Sequence, residues 1–188
     1  MQPTREEAYA LLTEFTTSPS LIKHALSVEA AMKAYAAFFG EDEKVWSIVG
    51  LIHDFDYEQN PTEETHLHVG CKVLRERGWP EQWVLAVASH ADYMGVPRDT
   101  PMKKSLFAVD ELTGFLTACA LVRPDKSIAA VKTKSVKKKL KDKAFARAVN
   151  RDDVRRGAEE LGVELGEHIE RVRDAMATIA SELELPPG

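Results

Sequence analysis

The fold is predicted first from residues 45–54, Val45-Trp46-Ser47-Ile48-Val49-Gly50-Leu51-Ile52-His53-Asp54. Apolar side chains recur at 45, 48, 49 and 52, the spacing of one helix face, so the segment is predicted to be a helix that faces the core. The run ends in an adjacent histidine and aspartate. An imidazole nitrogen beside a carboxylate oxygen suits a divalent metal ion of intermediate hardness. The pair becomes a metal site only if other segments supply further ligands.

The bulk composition is that of a globular protein, with 188 residues of which 44% are hydrophobic and 29% charged. A chain of this length can bury a sizeable core. The net charge of -5 argues against nucleic-acid binding as the main activity. The two cysteines lie far apart in apolar helical contexts, as is typical of reduced intracellular thiols. Because the first residues lack signal-peptide character and no apolar run has the roughly 20 residues of a membrane span, we expect a cytoplasmic protein without membrane contact.

Helical periodicity continues along the chain, and no segment of useful length alternates as a strand does. A capping box at residues 4–7 predicts a first helix to about Phe15. Further helices are predicted at about 21–39, 63–77, 80–91, 106–122, 152–161 and 164–183. The fold class is therefore predicted to be all-α, with one domain that ends in a C-terminal helical extension.

Several of these helices place a histidine or an aspartate toward the core. His24 and His90 lie on or beside apolar faces, His66 opens the helix predicted at 63–77, and Asp110 lies inside an apolar run. A buried carboxylate is costly unless a cation or several donors compensate it. Each residue alone has an ordinary alternative, since a single inward histidine is more often a hydrogen-bonded core residue than a ligand. Together with the His53-Asp54 pair, they indicate a metal site inside a helical bundle.

The order His24, His53-Asp54 and Asp110 resembles the H…HD…D signature of the HD-domain superfamily of metal-dependent phosphohydrolases. The resemblance covers about residues 20–123 and implies an HD-type helical core there. The helices predicted after it form the C-terminal extension, over about 124–185, within a single domain over 1–188. The resemblance extends to the histidine of Ser89-His90-Ala91 and to a histidine four residues before a glycine, in the segment His66-Leu67-His68-Val69-Gly70.

The resemblance also implies a ligand set. A first metal ion would be bound by His24, His53, Asp54 and Asp110. A second ion would be bound by His66 and His90, with Asp54 bridging the two ions. Residues 109–114, Val-Asp-Glu-Leu-Thr-Gly, followed by a lysine-rich segment, resemble an uncharacterised predicted-hydrolase branch of the superfamily, which implies no particular substrate.

The chain departs from the family pattern directly after the His-Asp pair. Many relatives have His-Asp-Ile-Gly-Lys there, whereas this sequence has His53-Asp54-Phe55-Asp56-Tyr57 and lacks both the glycine and the lysine. That lysine can serve the substrate phosphate, so the resemblance does not carry over any particular cyclic-dinucleotide activity.

We expect a metal-dependent phosphohydrolase that acts on a nucleotide or other small phosphate ester through attack of a metal-bound hydroxide. Mixed nitrogen and oxygen ligands favour one or two ions of Mn, Fe, Co, Ni or Zn over Mg. Two alternatives stay open. Other branches of the superfamily use the same ligands as a di-iron oxygenase, and the chain could instead be a metal-containing nucleotide-binding module without catalysis. The oligomeric state is also open.

Further residues are candidates for catalysis or substrate binding. In catalysis, Asp54 would be joined by Asp56 and Glu58, which would orient ligands or transfer protons, with a solvated loop as the alternative. The small phosphorylated substrate would be held by Lys103 and Lys104 and by Lys134, Lys137 and Lys138. The last three belong to a run of seven lysines between 132 and 143, for which a solvated helix face is the alternative. His68 is expected to face away from His66, and His168 is expected on the surface.

Overall fold

The computed structural model describes residues 2–186, and every regular element in that range is helical. The helices are α1 (Arg5–Phe15), α2 (Pro19–Phe39), α3 (Glu43–Ile52), α4 (His68–Glu76), α5 (Glu81–Ala88), α6 (Pro101–Leu121), α7 (Thr133–Lys139), α8 (Arg151–Leu161) and α9 (Leu165–Ala177), with one 3-10 turn at Asp92–Met94. The predicted all-α fold class is confirmed. None of the described helices is long and apolar enough to cross a membrane.

Helix α3 is the helix predicted from residues 45–54. The carboxylate of Asp42 caps its N-terminus by accepting from two backbone N–H groups, and all residues from Trp46 to Ile52 are buried. Gly50 allows α3 to lie directly against α2, because a Cβ atom there would come within 2.9 Å of the Val28 carbonyl oxygen. This close approach brings His53, which follows α3, up to the surface of α2.

The two longest helices, α2 and α6, form the centre of the bundle. Helix α2 packs against α3, α6 and α9, and α6 packs against α8 as well as α2 and α9. At the α6–α8 contact, a Cβ atom on Gly157 would lie 2.5 Å from the Ala108 Cα atom. Helix α8 therefore docks backbone to backbone on the helix that carries Asp110.

The helix predicted at about 63–77 is shorter in the structure, because residues 53–67 form turns and α4 begins only at His68. His66 therefore precedes a helix and does not open one. Leu67 has a left-handed backbone with φ of 63°, and its N–H donates to the buried carboxylate of Asp56. Periodicity could not reveal this interruption, since the competing hydrogen bond comes from a residue eleven positions earlier.

Other helix ends also differ from the predictions, and α5 ends at Ala88 rather than near 91, so His90 follows this helix. Helix α6 begins at Pro101 rather than near 106, because the Thr100 side chain accepts from the Lys103 N–H and proline suits the first helical turn. The last helix ends at Ala177 rather than near 183. The chain continues in turns that bury Leu183 and Leu185.

The prediction that His168 lies on the surface is wrong, since its side chain is fully buried. Its Nε2–H donates to the Ala108 carbonyl oxygen at 2.9 Å, and the Tyr35 hydroxyl donates to Nδ1 at 2.5 Å. These bonds tie α9 to both central helices. Burial lowers the pKa of His168 to about 4, so the imidazole is neutral at physiological pH.

This buried histidine should make stability depend on pH. An unfolded histidine has a pKa of about 6.5, so between that pH and about 4 the unfolded chain binds a proton that the folded chain does not. The stabilisation is therefore complete above about pH 6.5 and is lost as the pH falls toward 4. Between pH 7.5 and 5, wild type should lose roughly 2 kcal/mol more unfolding free energy than His168→Gln.

Urea denaturation of both proteins at the two pH values measures this difference. His68→Gln is the matched control, because His68 is exposed and its replacement should keep the wild-type pH dependence. An equal pH dependence in wild type and His168→Gln would contradict the prediction.

Candidate metal centre

The structure brings together all six residues that were predicted as metal ligands. His24 lies on α2, His53 and Asp54 follow α3, His66 precedes α4, His90 follows α5 and Asp110 lies on α6. They form two groups in which the candidate ligand atoms lie within 4.8 Å of one another, and Asp54 belongs to both groups. Metal binding by these residues stays a prediction. It requires ligand atoms that lie close together, and both groups meet this requirement.

The first group contains two imidazoles and two carboxylates. The Nε2 atom of His24 lies 3.0 Å from Asp110 Oδ1, and the Nε2 atom of His53 lies 3.4 Å from the same oxygen. The two Nε2 atoms are 3.2 Å apart. Asp54 Oδ2 completes the group at 3.4 Å from His53 and 3.8 Å from His24.

The second group forms around the other oxygen of Asp54. The Nε2 atoms of His66 and His90 both lie 3.1 Å from Asp54 Oδ1. One carboxylate thus directs one oxygen toward each pair of imidazoles. A carboxylate in this position would be able to bind one ion with each oxygen.

Helix ends orient two of the histidines in the same way. The Nδ1–H of His53 donates to the Gly50 carbonyl oxygen at 2.8 Å, and that of His90 donates to the Val87 carbonyl oxygen at 2.6 Å. Both acceptors lie three residues earlier, in the last helical turn, where each carbonyl oxygen also accepts a long bond from the backbone N–H of the same histidine, at 3.5 and 3.4 Å. Because Nδ1 carries the proton, Nε2 is available as a ligand atom.

Asp56 positions His66. Its buried carboxylate accepts from His66 Nδ1 at 3.0 Å and from the N–H groups of Leu67 and Gly70 at 3.0 and 2.9 Å. Gly70 must lack a side chain, since a Cβ atom there would lie 2.7 Å from Asp56 Cγ. The histidine and the glycine four residues later therefore belong to one arrangement around this carboxylate.

Thr113 is a site residue that the sequence reasoning missed. Its hydroxyl donates to the Asp110 carbonyl oxygen at 2.8 Å, and the same oxygen lies 3.4 Å from His24 Nδ1. It gives His24 an outer hydrogen-bond partner, as the other three histidines have. The signal was its position three residues after Asp110, on the same helical face.

The electrostatics of the cluster favour a bound cation. Burial works against the ionisation of both aspartates, yet neighbouring imidazoles hold the pKa of Asp54 well below its usual range and lower that of Asp110. Burial likewise opposes charge on His53, but Asp54 and Asp110 raise its pKa well above the ordinary value. Despite burial, hydrogen bonds to Asp54 and Asp56 raise the pKa of His66 to about 9. A metal ion bound by these atoms would take the place of the protons that the raised pKa values of His53 and His66 imply.

The residues fit divalent transition-metal ions. With Nδ1 protonated, the Nε2 atoms of His24 and His53 would face each other with lone pairs at 3.2 Å, which is unfavourable unless a cation or proton lies between them. Two imidazoles and two carboxylates in one group, and two imidazoles and a shared carboxylate in the other, are donors that suit Mn, Fe, Co, Ni or Zn. The identity of the metal is an expectation from this donor set.

The structure does not bring Glu58 to the cluster. Its carboxylate accepts from the N–H groups of Thr17 and Ser18 at 2.6 and 3.1 Å and from the Thr17 hydroxyl at 2.9 Å. Glu58 thus binds the segment that leads into α2, which is a structural task. Its predicted catalytic role has no support in this geometry, whereas Asp56 contacts a candidate ligand directly.

The candidate substrate lysines are partly engaged elsewhere. Lys103 pairs with Asp99 at 2.8 Å, and Lys104 lies beside a surface pocket with Arg98. In the lysine-rich segment, part of which forms α7, Lys137 pairs with Glu164 at 2.8 Å. Lys134 and Lys138 are exposed. Substrate binding by these lysines stays a prediction.

Asp56 and Glu58 offer a matched test of the second group. Asp56→Asn should lower the affinity for a second metal ion by about 10- to 100-fold, because the outer partner of His66 loses its charge and one acceptor. The first ion should bind as in wild type. Glu58→Gln is the control and should change neither affinity.

Calorimetric titration of the metal-free proteins with Mn²⁺ measures both affinities. Equal losses in Asp56→Asn and Glu58→Gln would show that the second group does not depend on the Asp56–His66 contact.

No protein-family model matches the chain, and no curated protein sequence matches it. Among solved structures, it is similar to the crystal structure of the L. monocytogenes phosphodiesterase PgpH HD domain, with a TM-score of 0.52 and 14% sequence identity. The match covers 91% of this chain and 97% of that chain. The chain therefore has the fold of an HD domain, as the H…HD…D order of its histidines and aspartates predicted.

Proposed function

We propose that the protein is a metal-dependent phosphohydrolase that cleaves a nucleotide or another small phosphate ester. The observation that carries the proposal is the position of Asp54, whose two oxygens each contact a separate pair of imidazoles. The shared fold with a phosphodiesterase HD domain supports the reaction class and leaves the substrate open.

Bound divalent ions would supply a water molecule of lowered pKa and would neutralise charge on the phosphoryl group. The role of the protein is to fix the ligands. Asp54 sets the spacing between the two groups, and the outer hydrogen bonds of the histidines fix their ring orientations. Asp56 holds His66 in place through a charged hydrogen bond.

The site is partly exposed to solvent. The side chains of His24 and Asp54 are each 22% exposed and that of Asp110 is 20% exposed, whereas that of His53 is fully buried. A substrate phosphate would approach over His24, Asp54 and Asp110. Two divalent ions with two carboxylates and four neutral imidazoles leave a net charge of about +2, which attracts a phosphate dianion.

The proposal is tested by the metal content and the oxygen dependence of one set of proteins. Wild type loaded with Mn²⁺ or Co²⁺ should bind two ions and release phosphate, without O₂, from a member of a panel of nucleotides and sugar phosphates. His66→Ala and His90→Ala should each bind about one ion and lose activity by roughly 100-fold or more, because both histidines serve the second group. His68→Ala is the control, since His68 is exposed.

Strict dependence on both iron and O₂, with no anaerobic phosphate release, would indicate a di-iron oxygenase instead of a hydrolase. Metal binding with neither reaction would favour a binding module. Full activity with one ion per chain would remove His66 and His90 from the ligand set.

A further inference from the structure

A pocket opens beside the metal cluster at His24. It has a volume of about 550 Å³ and lies between α2, α6 and the segment that follows α9. His24 is part of its wall and also a member of the first ligand group. A molecule in this pocket would therefore lie against a residue of the cluster.

Three chain segments form the walls of the pocket. Helix α2 contributes Ser20, Lys23 and Ser27, and α6 contributes Gly114, Thr117 and Leu121. The third wall is the C-terminal segment at Leu183–Leu185. Gly114 leaves space in the pocket, since a Cβ atom added there meets no other group within 4 Å. The volume lies within the range of small-molecule sites.

The hydroxyl groups in the walls present acceptors to a ligand. Ser27 donates its hydroxyl proton to the Lys23 carbonyl oxygen at 2.8 Å, and Thr117 donates to the Thr113 carbonyl oxygen at 3.0 Å. A hydroxyl has one proton to donate, so both oxygens are left with lone pairs only. A complementary ligand carries O–H or N–H donors at these positions.

The remaining wall is apolar and close to electrically neutral. Leu121, Leu183 and Leu185 supply apolar side chains, and the Lys23 ammonium pairs with the Glu184 carboxylate at 2.7 Å. Glu184 has a left-handed backbone with φ of 54°, which turns the chain so that both flanking leucines are buried. A substrate with a second phosphate group would find no unpaired cation among these wall residues. An uncharged ring with an apolar face would fit against the leucines.

We propose that this pocket holds the alcohol portion of the phosphate ester, and that this alcohol is an uncharged, nucleoside-sized group with hydrogen-bond donors and an apolar face. The C-terminal segment limits its size. The inference rests on the proposed function, and it adds the position of the substrate and the selectivity of the site.

A pair of phosphonates separates the pocket from the metal cluster. Methylphosphonate reaches only the cluster, whereas nucleoside 5′-phosphonates with CH₂ in place of the ester oxygen also fill the pocket and are not hydrolysed. Calorimetry on the Mn²⁺-loaded full-length protein should show tighter binding of the adenosine or the uridine analogue than of methylphosphonate. Gly114→Leu should lower the affinity for the nucleoside analogue by at least about tenfold, because the leucine side chain occupies the space that the ligand needs.

The same variant should keep the wild-type affinities for Mn²⁺ and methylphosphonate. Ala37→Leu is the control for added bulk, because Ala37 is exposed on α2 outside the pocket, and it should change none of these affinities. Should Gly114→Leu fail to fold, Thr117→Val removes one acceptor at nearly constant volume. This variant should lower only the affinity for the nucleoside analogue, by about threefold or more.

Nucleoside analogues that bind no tighter than methylphosphonate, or that bind Gly114→Leu and Thr117→Val as well as wild type, would overturn the pocket assignment alone. Failure of methylphosphonate and inorganic phosphate to bind the Mn²⁺-loaded wild type would overturn the proposed function, and the pocket assignment with it.

Discussion

The shared carboxylate of Asp54 is the constraint on which the arrangement of the molecule depends. One oxygen must face His24 and His53 while the other faces His66 and His90. These partners come from distant segments, so the helices that carry them must meet at one point. Gly50 makes this possible by letting α3 lie against α2, because a side chain there would strike the Val28 carbonyl.

A buried group of carboxylates and imidazoles is costly to assemble without a cation. The fold reduces this cost by giving each imidazole an outer acceptor. Backbone carbonyls at two helix ends serve His53 and His90, and the side chains of Thr113 and Asp56 serve His24 and His66. Local strain accompanies the arrangement, since Leu67 holds a positive φ angle beside Asp56. Such a residue costs roughly 1–3 kcal/mol, and the hydrogen bonds around it maintain the conformation.

The C-terminal helices support the same centre. Gly157 on α8 lies against Ala108 on α6, and the Ala108 carbonyl also accepts the proton of buried His168 on α9. These contacts fix the position of α6 at Ala108, two residues before Asp110. The chain after α9 then returns to the surface of α2 beside His24, where Lys23 and Glu184 pair. The packing of the helices therefore brings the C-terminal segment close to the ligand residues, although the two are far apart in sequence.

The sequence by itself determined the fold class, both ends of α1 and the C-terminal end of α2, because helical period and caps are local features. It also indicated the six candidate ligands, through the H…HD…D order. It did not determine that α4 starts only at His68, since the carboxylate of Asp56 competes for backbone N–H groups from outside the helix. Nor did it distinguish Asp56, which contacts His66, from Glu58, which binds the segment before α2. Two acidic residues in one loop look alike until their partners are placed. His168 was mistaken for a surface residue for the same reason. Its neighbours Tyr35 and Ala108 are remote in sequence, and only the packing of α9 on α2 and α6 brings these groups together.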